Sequence, residues 1–209
     1  MLITLEGGEG SGKSSIAVEL AEKLDAAGRF VTCTYEPGGT QLGGRIWQIF
    51  QDQDPPPITP LAELLLFEAA RSQNVDKVIR PALALGNVVI CDRYTDSSIA
   101  YQGHGRGLTT SLVETLNHAA TGGLQPDLTL LLDVPVEIGL ERARRANKEA
   151  KTEDLIGEES LQFHLRVHGG FQEIARDNPQ RVRVIDAARP LDDVVEQSWQ
   201  VVREACGLP

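Results

Sequence analysis

The stretch Gly7-Gly8-Glu9-Gly10-Ser11-Gly12-Lys13-Ser14 decides how the rest of the chain is read. It fits G-x-x-x-x-G-K-[ST] without deviation, and its flanks are the ones such a loop needs. Leu2 to Leu5 is a short apolar strand before it. After it, Ile16, Leu20 and Leu24 recur at helical spacing, and Gly28 follows as a stop. Glycines let a backbone wrap close around phosphate oxygens, and successive N–H groups at a helix N-terminus then hold the anion. Lys13 is expected to reach the β and γ phosphates of a nucleotide such as ATP, and Ser14 to bind Mg²⁺. Glu9 is a carboxylate inside this loop, which is electrostatically unhelpful beside a polyphosphate. Three placements are open for it: toward an acceptor hydroxyl, toward a water on Mg²⁺, or outward to solvent.

Outward from the loop, strands and helices alternate. Strands are expected at Phe30–Tyr35, Val88–Cys91, Leu128–Leu132 and Val182–Ile185. Helices are expected over 42–50, from Pro60 through about Leu85, over 97–101, 112–120, from Pro135, from Phe163 to Ile174, and over 190–205. Gly103, Gly105 and Gly107 read as a loop. With the first strand this makes five strands and an α/β/α sandwich on a parallel sheet, taken as one domain over 1–209. The segment 141–160 is densely charged with little apolar periodicity, and reads as a solvated, mobile lid.

Ligands of such sheets sit at the carboxyl ends of strands. Asp92-Arg93-Tyr94 falls at one of them. Asp92 can join Ser14 and Glu9 around Mg²⁺, and the Arg93 fork matches phosphate oxygens. A structural ion pair would explain either residue alone, but not both opposite a phosphate loop.

Composition narrows the partners. The chain has 209 residues, 41% hydrophobic and 24% charged, with a formal net charge of −10. That charge disfavours nucleic acid as a partner, while small-molecule nucleotide substrates need only a few local cations. No apolar run reaches membrane-spanning length, and Cys33, Cys91 and Cys206 have no metal or disulfide spacing, so a cytoplasmic protein with reduced thiols is expected.

Beyond the loop, four further motifs follow in order: Glu36-Pro37-Gly38-Gly39-Thr40, Phe67…Arg71, Asp92-Arg93-Tyr94…Ser97-Ser98…Tyr101-Gln102-Gly103, and Pro126-Asp127-Leu128…Asp133-Val134-Pro135. On these, together with Glu6 and the loop, the chain resembles the thymidylate kinases of the bacterial type, P-loop nucleoside monophosphate kinases, from about residue 2 to 203. The resemblance implies a P-loop NTPase fold, a homodimer, and Mg²⁺-dependent transfer of the ATP γ-phosphoryl group to dTMP.

Site roles are implied position by position. Gly7, Gly8, Glu9, Gly10, Ser11, Gly12, Lys13 and Ser14 would hold ATP. Glu36, Pro37, Phe67, Arg71, Arg93, Ser98, Tyr101 and Gln102 would hold dTMP. Phe67 would stack on thymine, Arg71 would bond the base carbonyl, and Tyr101 would pack against the 2′ position. Lys13, Arg93, Glu9 and two lid arginines, Arg142 and Arg145, would serve catalysis. Helical spacing puts Phe67 and Arg71 on one face, although pattern alone favours Phe67 as a core residue.

The chain departs from the family pattern at Tyr35 and Trp47, where arginine is usual, and at Asp154-Leu155-Ile156-Gly157 in the lid. A kinase for UMP, CMP or AMP is the nearest alternative, and a P-loop regulatory ATPase a more distant one. Broadly apolar helices around 61–85 and 109–120 suit a subunit interface.

Overall fold

A computed structural model describes residues 1–52, 57–150, 157 and 159–209, the side chains of residues 149 and 150 excepted. Among the described residues, five parallel strands form one sheet in the order β2-β3-β1-β4-β5. They are β1 (Leu2–Glu6), β2 (Val31–Tyr35), β3 (Val88–Asp92), β4 (Leu128–Asp133) and β5 (Val182–Asp186). Register runs Leu2↔Val89 to Leu5↔Asp92 on one side of β1, and Ile3↔Leu128 to Glu6↔Leu131 on the other. β1 therefore lies between β3 and β4, where the chain's direction of travel across the sheet reverses, and a crevice opens at such a point. Both faces of the sheet are covered, so its inner strands are almost wholly apolar.

On one face, α1 (Lys13–Ala26) and α9 (Leu191–Ala205) pack Ile16, Leu20, Leu24, Val194 and Val202 against Ile3, Leu5 and Leu130. Each such side chain contributes about 1.5–3 kcal/mol of burial. The other face carries α3 (Pro60–Asn74), α4 (Arg80–Ala84), α5 (Thr95–Ser98), α6 (Thr110–Thr121) and α8 (Leu161–Asp177). Its core joins Leu2, Val89, Tyr94 and Ile79 in one cluster and Leu131, Phe163, Val167 and Phe171 in another. The remaining helices are α2 (Gln41–Phe50) and α7 (Val136–Ala150). No described helix is long and apolar enough to cross a membrane.

Three sequence expectations need correction. The helix expected from Pro60 to Leu85 is interrupted by a π-helical turn at Val75–Ile79. A second π-helical stretch, Ile99–Gly105, extends α5 through Gly103 and Gly105, two of the three glycines read as a loop. Packing decides there: a Cβ on Gly105 would press into Phe163 and Val167, and one on Gly170 into the His104 ring, so these glycines let two helices touch. Third, residues 141–150, expected to have little helical periodicity, are helical and continue α7 to its end. The lid residues Lys151, Asp154, Leu155 and Ile156 lie outside the described residues.

The buried face of α3 is polar. Glu63, Leu64, Glu68, Ala70, Arg71 and Asn74 are buried, while Leu61 and Leu65 are exposed. That inversion of ordinary amphipathicity marks the inner face as part of a site.

Candidate active site

The loop between β1 and α1 is shaped by backbone. Gly7, Gly10 and Gly12 have φ of 141°, 63° and 90°. A Cβ at Gly10 would overlap the Gly139 carbonyl of α7, so the loop and that helix are in direct backbone contact. α1 has no side-chain N-cap, which leaves its first amides free for an anion. Lys13 Nζ donates to the Gly7 carbonyl (3.0 Å), the Gly8 carbonyl (2.9 Å) and Ser11 Oγ (3.1 Å), bracing the loop. Burial, then Arg93, pushes the Lys13 ammonium down to about 8, against the pull of Asp92, Glu9 and Glu6.

Ser14 Oγ donates to Asp92 Oδ2 at 2.7 Å. Asp92 Oδ1 is buried without a hydrogen-bond partner among the described residues. A hydroxyl beside an unmatched carboxylate oxygen, at the mouth of a phosphate loop, is a hard oxygen donor set that fits Mg²⁺.

The next residue, Arg93, is the only non-glycine among the described residues with positive φ, at 67°. Left-handed backbone at a bulky residue costs energy and is retained where the surroundings over-determine it. Here the surroundings are specific. The Arg93 amide donates to the Leu5 carbonyl, and Glu6 accepts from the Tyr94 amide (2.8 Å), the Ser97 amide (3.2 Å) and Ser97 Oγ (2.6 Å). Glu6 thus ties the end of β1 to the turn after β3. Burial, then Asp96, pushes its carboxyl up to about 8, against these hydrogen bonds and Arg93.

Arg93 Nη2 donates to Glu9 Oε1 at 3.0 Å, and its guanidinium lies 5.1 Å from the Tyr101 ring centroid. The Tyr101 hydroxyl donates to the same Glu9 oxygen at 2.7 Å. Glu9 therefore turns inward, and the solvent-facing option is not the one adopted. Burial would raise its carboxyl, but Arg93, Lys13 and the Tyr101 hydrogen bond hold it at about 2.

A cavity of about 520 Å³ opens between these groups. Across from the loop its wall includes Glu36, Pro37, Phe67, Arg71, Ser98, Tyr101 and Gln102. The structure thus brings every residue expected around dTMP to one place. Phe67 stacks on Phe50 with centroids 4.8 Å apart and an 18° tilt, and Trp47 lies 6.0 Å beyond Phe50. The half-buried Phe67 serves the core and the cavity at once.

Arg71 is fully buried. It donates to Glu36 Oε2 (2.8 Å), Glu68 Oε1 (2.5 Å), Ser98 Oγ (2.8 Å), Asn117 Oδ1 (2.7 Å) and the Tyr94 carbonyl (2.9 Å). Burial would lower its basicity, but Glu36 and Glu68 outweigh that and hold it charged. The expectation that Glu36 contacts substrate directly is joined by a second task, fixing Arg71. The Glu36–Pro37 peptide is cis.

The two lid arginines are placed apart. Arg142 lines the cavity, with Nη1 on the Ala187 carbonyl (2.8 Å) and Nη2 on that of Ala188 (3.3 Å). Arg145 stands on the exposed face of α7, paired with Glu141 at 3.0 Å and outside the cavity lining.

Sequence reading passed over Glu63, Glu68, Asn74, Arg106 and Asn117. A cue existed: Glu63, Phe67, Arg71 and Asn74 stand at steps of four, four and three on a leucine-rich helix, which puts a polar stripe where a core face belongs.

Comparison with known proteins agrees with this geometry. The family model described as thymidylate kinase matches residues 5–198. A thymidylate kinase of Synechococcus sp. (strain JA-3-3Ab) is 51% identical over 203 residues, covering 97% of this chain and 95% of that protein. One of Deinococcus radiodurans is 47% identical over 204 residues, covering 98% and 97%. The crystal structure of thymidylate kinase from Ehrlichia chaffeensis superposes with a TM-score of 0.77 at 33% identity, covering 97% of this chain and 98% of that one. With a phosphate loop, a facing arginine and an aromatic wall around one cavity, and relatives of this identity along nearly the whole length, the chain belongs to the thymidylate kinase family.

Proposed function

We propose that the chain transfers the γ-phosphoryl group of ATP to dTMP, giving ADP and dTDP. One observation carries the reading: Lys13 on the loop side and Arg93 on the β3 side face one cavity whose far wall holds Phe67 and Arg71. Two phosphates held opposite each other, with a flat base pinned beyond the second, describe a nucleotide acceptor.

The acceptor phosphate is already ionised, so no general base is required. The chain's task is alignment and neutralisation of charge on the transferring group. The loop amides and Lys13 hold the donor phosphates. Arg93, kept in place by Glu9 and Tyr101, grips the acceptor phosphate. Ser14 and Asp92 would hold Mg²⁺, which when bound neutralises developing charge on the phosphate oxygens. Glu36, Glu68 and Asn117 aim Arg71 at the base, and Phe67 supplies the stacking face. Arg142 is the better candidate for contact with ATP, and Arg145 has no role in this reading. The Tyr101 ring, beside Glu9, closes the sugar edge.

We read residues 1–209 as one domain on one sheet, and exposed Leu61, Leu65 and Leu112 as the face of a homodimer, which sedimentation velocity tests. Free Cys33, Cys91 and Cys206 accord with a reducing cytoplasm.

The test is ADP release measured on dTMP, UMP, CMP and AMP, and with no acceptor. The reading expects dTMP to be preferred by a wide margin. Preference for another monophosphate would reassign the acceptor, and equal hydrolysis without any acceptor would favour a regulatory ATPase.

A further inference from the structure

Glu63 and Arg106 have no part in the roles above, yet they hold a residue that does. Gln102 lines the acceptor side of the cavity and is 2% exposed. Its Nε2 donates to Glu63 Oε1 at 2.9 Å. Glu63 is itself buried, one helical turn before Phe67. Arg106 Nε lies 3.1 Å from each Glu63 oxygen, and Arg106 Nη2 lies 2.9 Å from Oε2. Arg106 in turn stacks its guanidinium 4.6 Å from the Phe163 centroid and pairs with Glu159, just before α8.

A carboxamide has two unlike ends: the nitrogen only donates and the oxygen only accepts. Which end points where is settled by the partners. A carboxylate gripped on both oxygens by a guanidinium is an acceptor, so Gln102 can meet Glu63 only through its nitrogen. That leaves Gln102 Oε1 as the acceptor on the cavity side. Arg71, which is purely a donor, lines the same wall. The wall therefore presents a donor and an acceptor together. Thymine carries an acceptor at O4 next to the donor N3–H. Cytosine carries the reverse, an amino donor next to an acceptor ring nitrogen.

We propose that Glu63, held by Arg106, is a positioning residue that sets base specificity by fixing the Gln102 carboxamide to receive a pyrimidine N3–H. The proposal rests on the dTMP reading and deepens it. Glu63 does not touch substrate. It makes one of the two amide orientations costly, so a pyrimidine without that N–H leaves Gln102 Oε1 and Arg71 facing the wrong partners.

The experiment compares kcat/KM for dTMP, dUMP and dCMP in the full chain and three variants. Glu63→Gln keeps the size but can both donate and accept, which releases the amide. Its dTMP-over-dCMP ratio should fall by at least about tenfold, mostly through the acceptor KM, with KM for ATP little changed. The dTMP-over-dUMP ratio should stay put, since the two bases share the edge being read. Glu63→Asp and Arg106→Lys retain the charges and should keep most of the dTMP-over-dCMP ratio. A Glu63→Gln ratio equal to that of the unaltered chain overturns the proposal. So does a Glu63→Asp variant that loses the ratio, a result available even if Glu63→Gln does not fold. Failure of the unaltered chain to use dTMP would instead sink the acceptor assignment itself.

Discussion

The two ends of the cavity are made by different means. The donor end is backbone: one unbroken segment, residues 7–14, with three glycines at positive φ and an uncapped helix behind it. The acceptor end is side chains, drawn from the end of β2, from α3, from the turn after β3 and from the π-helical stretch at Ile99–Gly105. Each end also handles charge in its own way. At the donor end, the cation Lys13 rests on carbonyls of its own loop. At the acceptor end three arginines among the described residues each have an acid partner: Arg71 the buried Glu36 and Glu68, Arg93 the half-buried Glu9 of the loop, and Arg106 the buried Glu63. A backbone site presents dipoles without adding net charge. A side-chain site must neutralise its arginines before substrate arrives, and so becomes part of the fold's own electrostatics. The contrast predicts that donor-end changes act on rate, whereas acceptor-end changes act on stability and recognition together.

The largest effect expected from that division is Lys13→Ala. It should lower kcat by roughly 10³-fold, with a smaller loss of melting temperature than an acceptor-end change causes, because glycines set the loop's shape and Lys13 only braces it. A coupled assay of ADP formation beside a thermal melt reads both. A rate within a few-fold of the unaltered chain would remove Lys13 from the donor site.

Next is Arg71→Ala at the other end. It leaves Glu36 and Glu68 buried without their cation, a loss of about 3–5 kcal/mol of folding free energy. Denaturant unfolding should show this drop in ΔG, and the surviving protein should have a raised KM for dTMP. If only KM moved and stability held, the acceptor end would be no more tied to the fold than the loop is, and the contrast would break.

The same division explains what could be read from sequence. Residues 7–14 are local and their backbone demands are written as glycines, so the donor site, the strand before it and the helix after it are legible. The arginines and aromatics of the acceptor site carry recognisable motifs. Their supports do not: Glu63 and Glu68 are charged residues on a helix and Arg106 sits among glycines in a turn, and all three read as solvent-facing until the fold covers them. The unread part of α7 is a subtler case. Gly139, Ala143 and Ala146 recur at steps of four and three and press on the phosphate loop or line its cavity. Small residues at helical spacing carry little hydrophobic signal, so a close helix–loop contact was invisible among the arginines around it. Packing likewise overruled glycine at position 105.

The smallest effect sharpens the comparison from outside both ends. His168 Nε2 and Asp133 Oδ1 lie 2.8 Å apart, joining α8 to the end of β4, each about a third exposed. The Asp133 hydrogen bond raises the His168 imidazolium above its usual 6.5, and the His168 hydrogen bond holds Asp133 below its usual 3.8. The sign follows from linkage. A raised histidine contributes stability that is fully present below pH 6.5 and is lost as pH climbs through its higher folded value. A depressed aspartate contributes stability that is present above 3.8 and is lost as pH falls through its lower folded value. The pair therefore stabilises most between those limits. With solvent screening the gain is under about 1 kcal/mol. His168→Gln should flatten the fall in melting temperature above pH 6.5 and leave the KM values for both substrates unchanged, because His168 lines neither end of the cavity. A shift in either KM would connect the His168–Asp133 pair to a cavity that neither residue lines, and the division between a backbone-built donor end and a side-chain-built acceptor end would then need a third contributor.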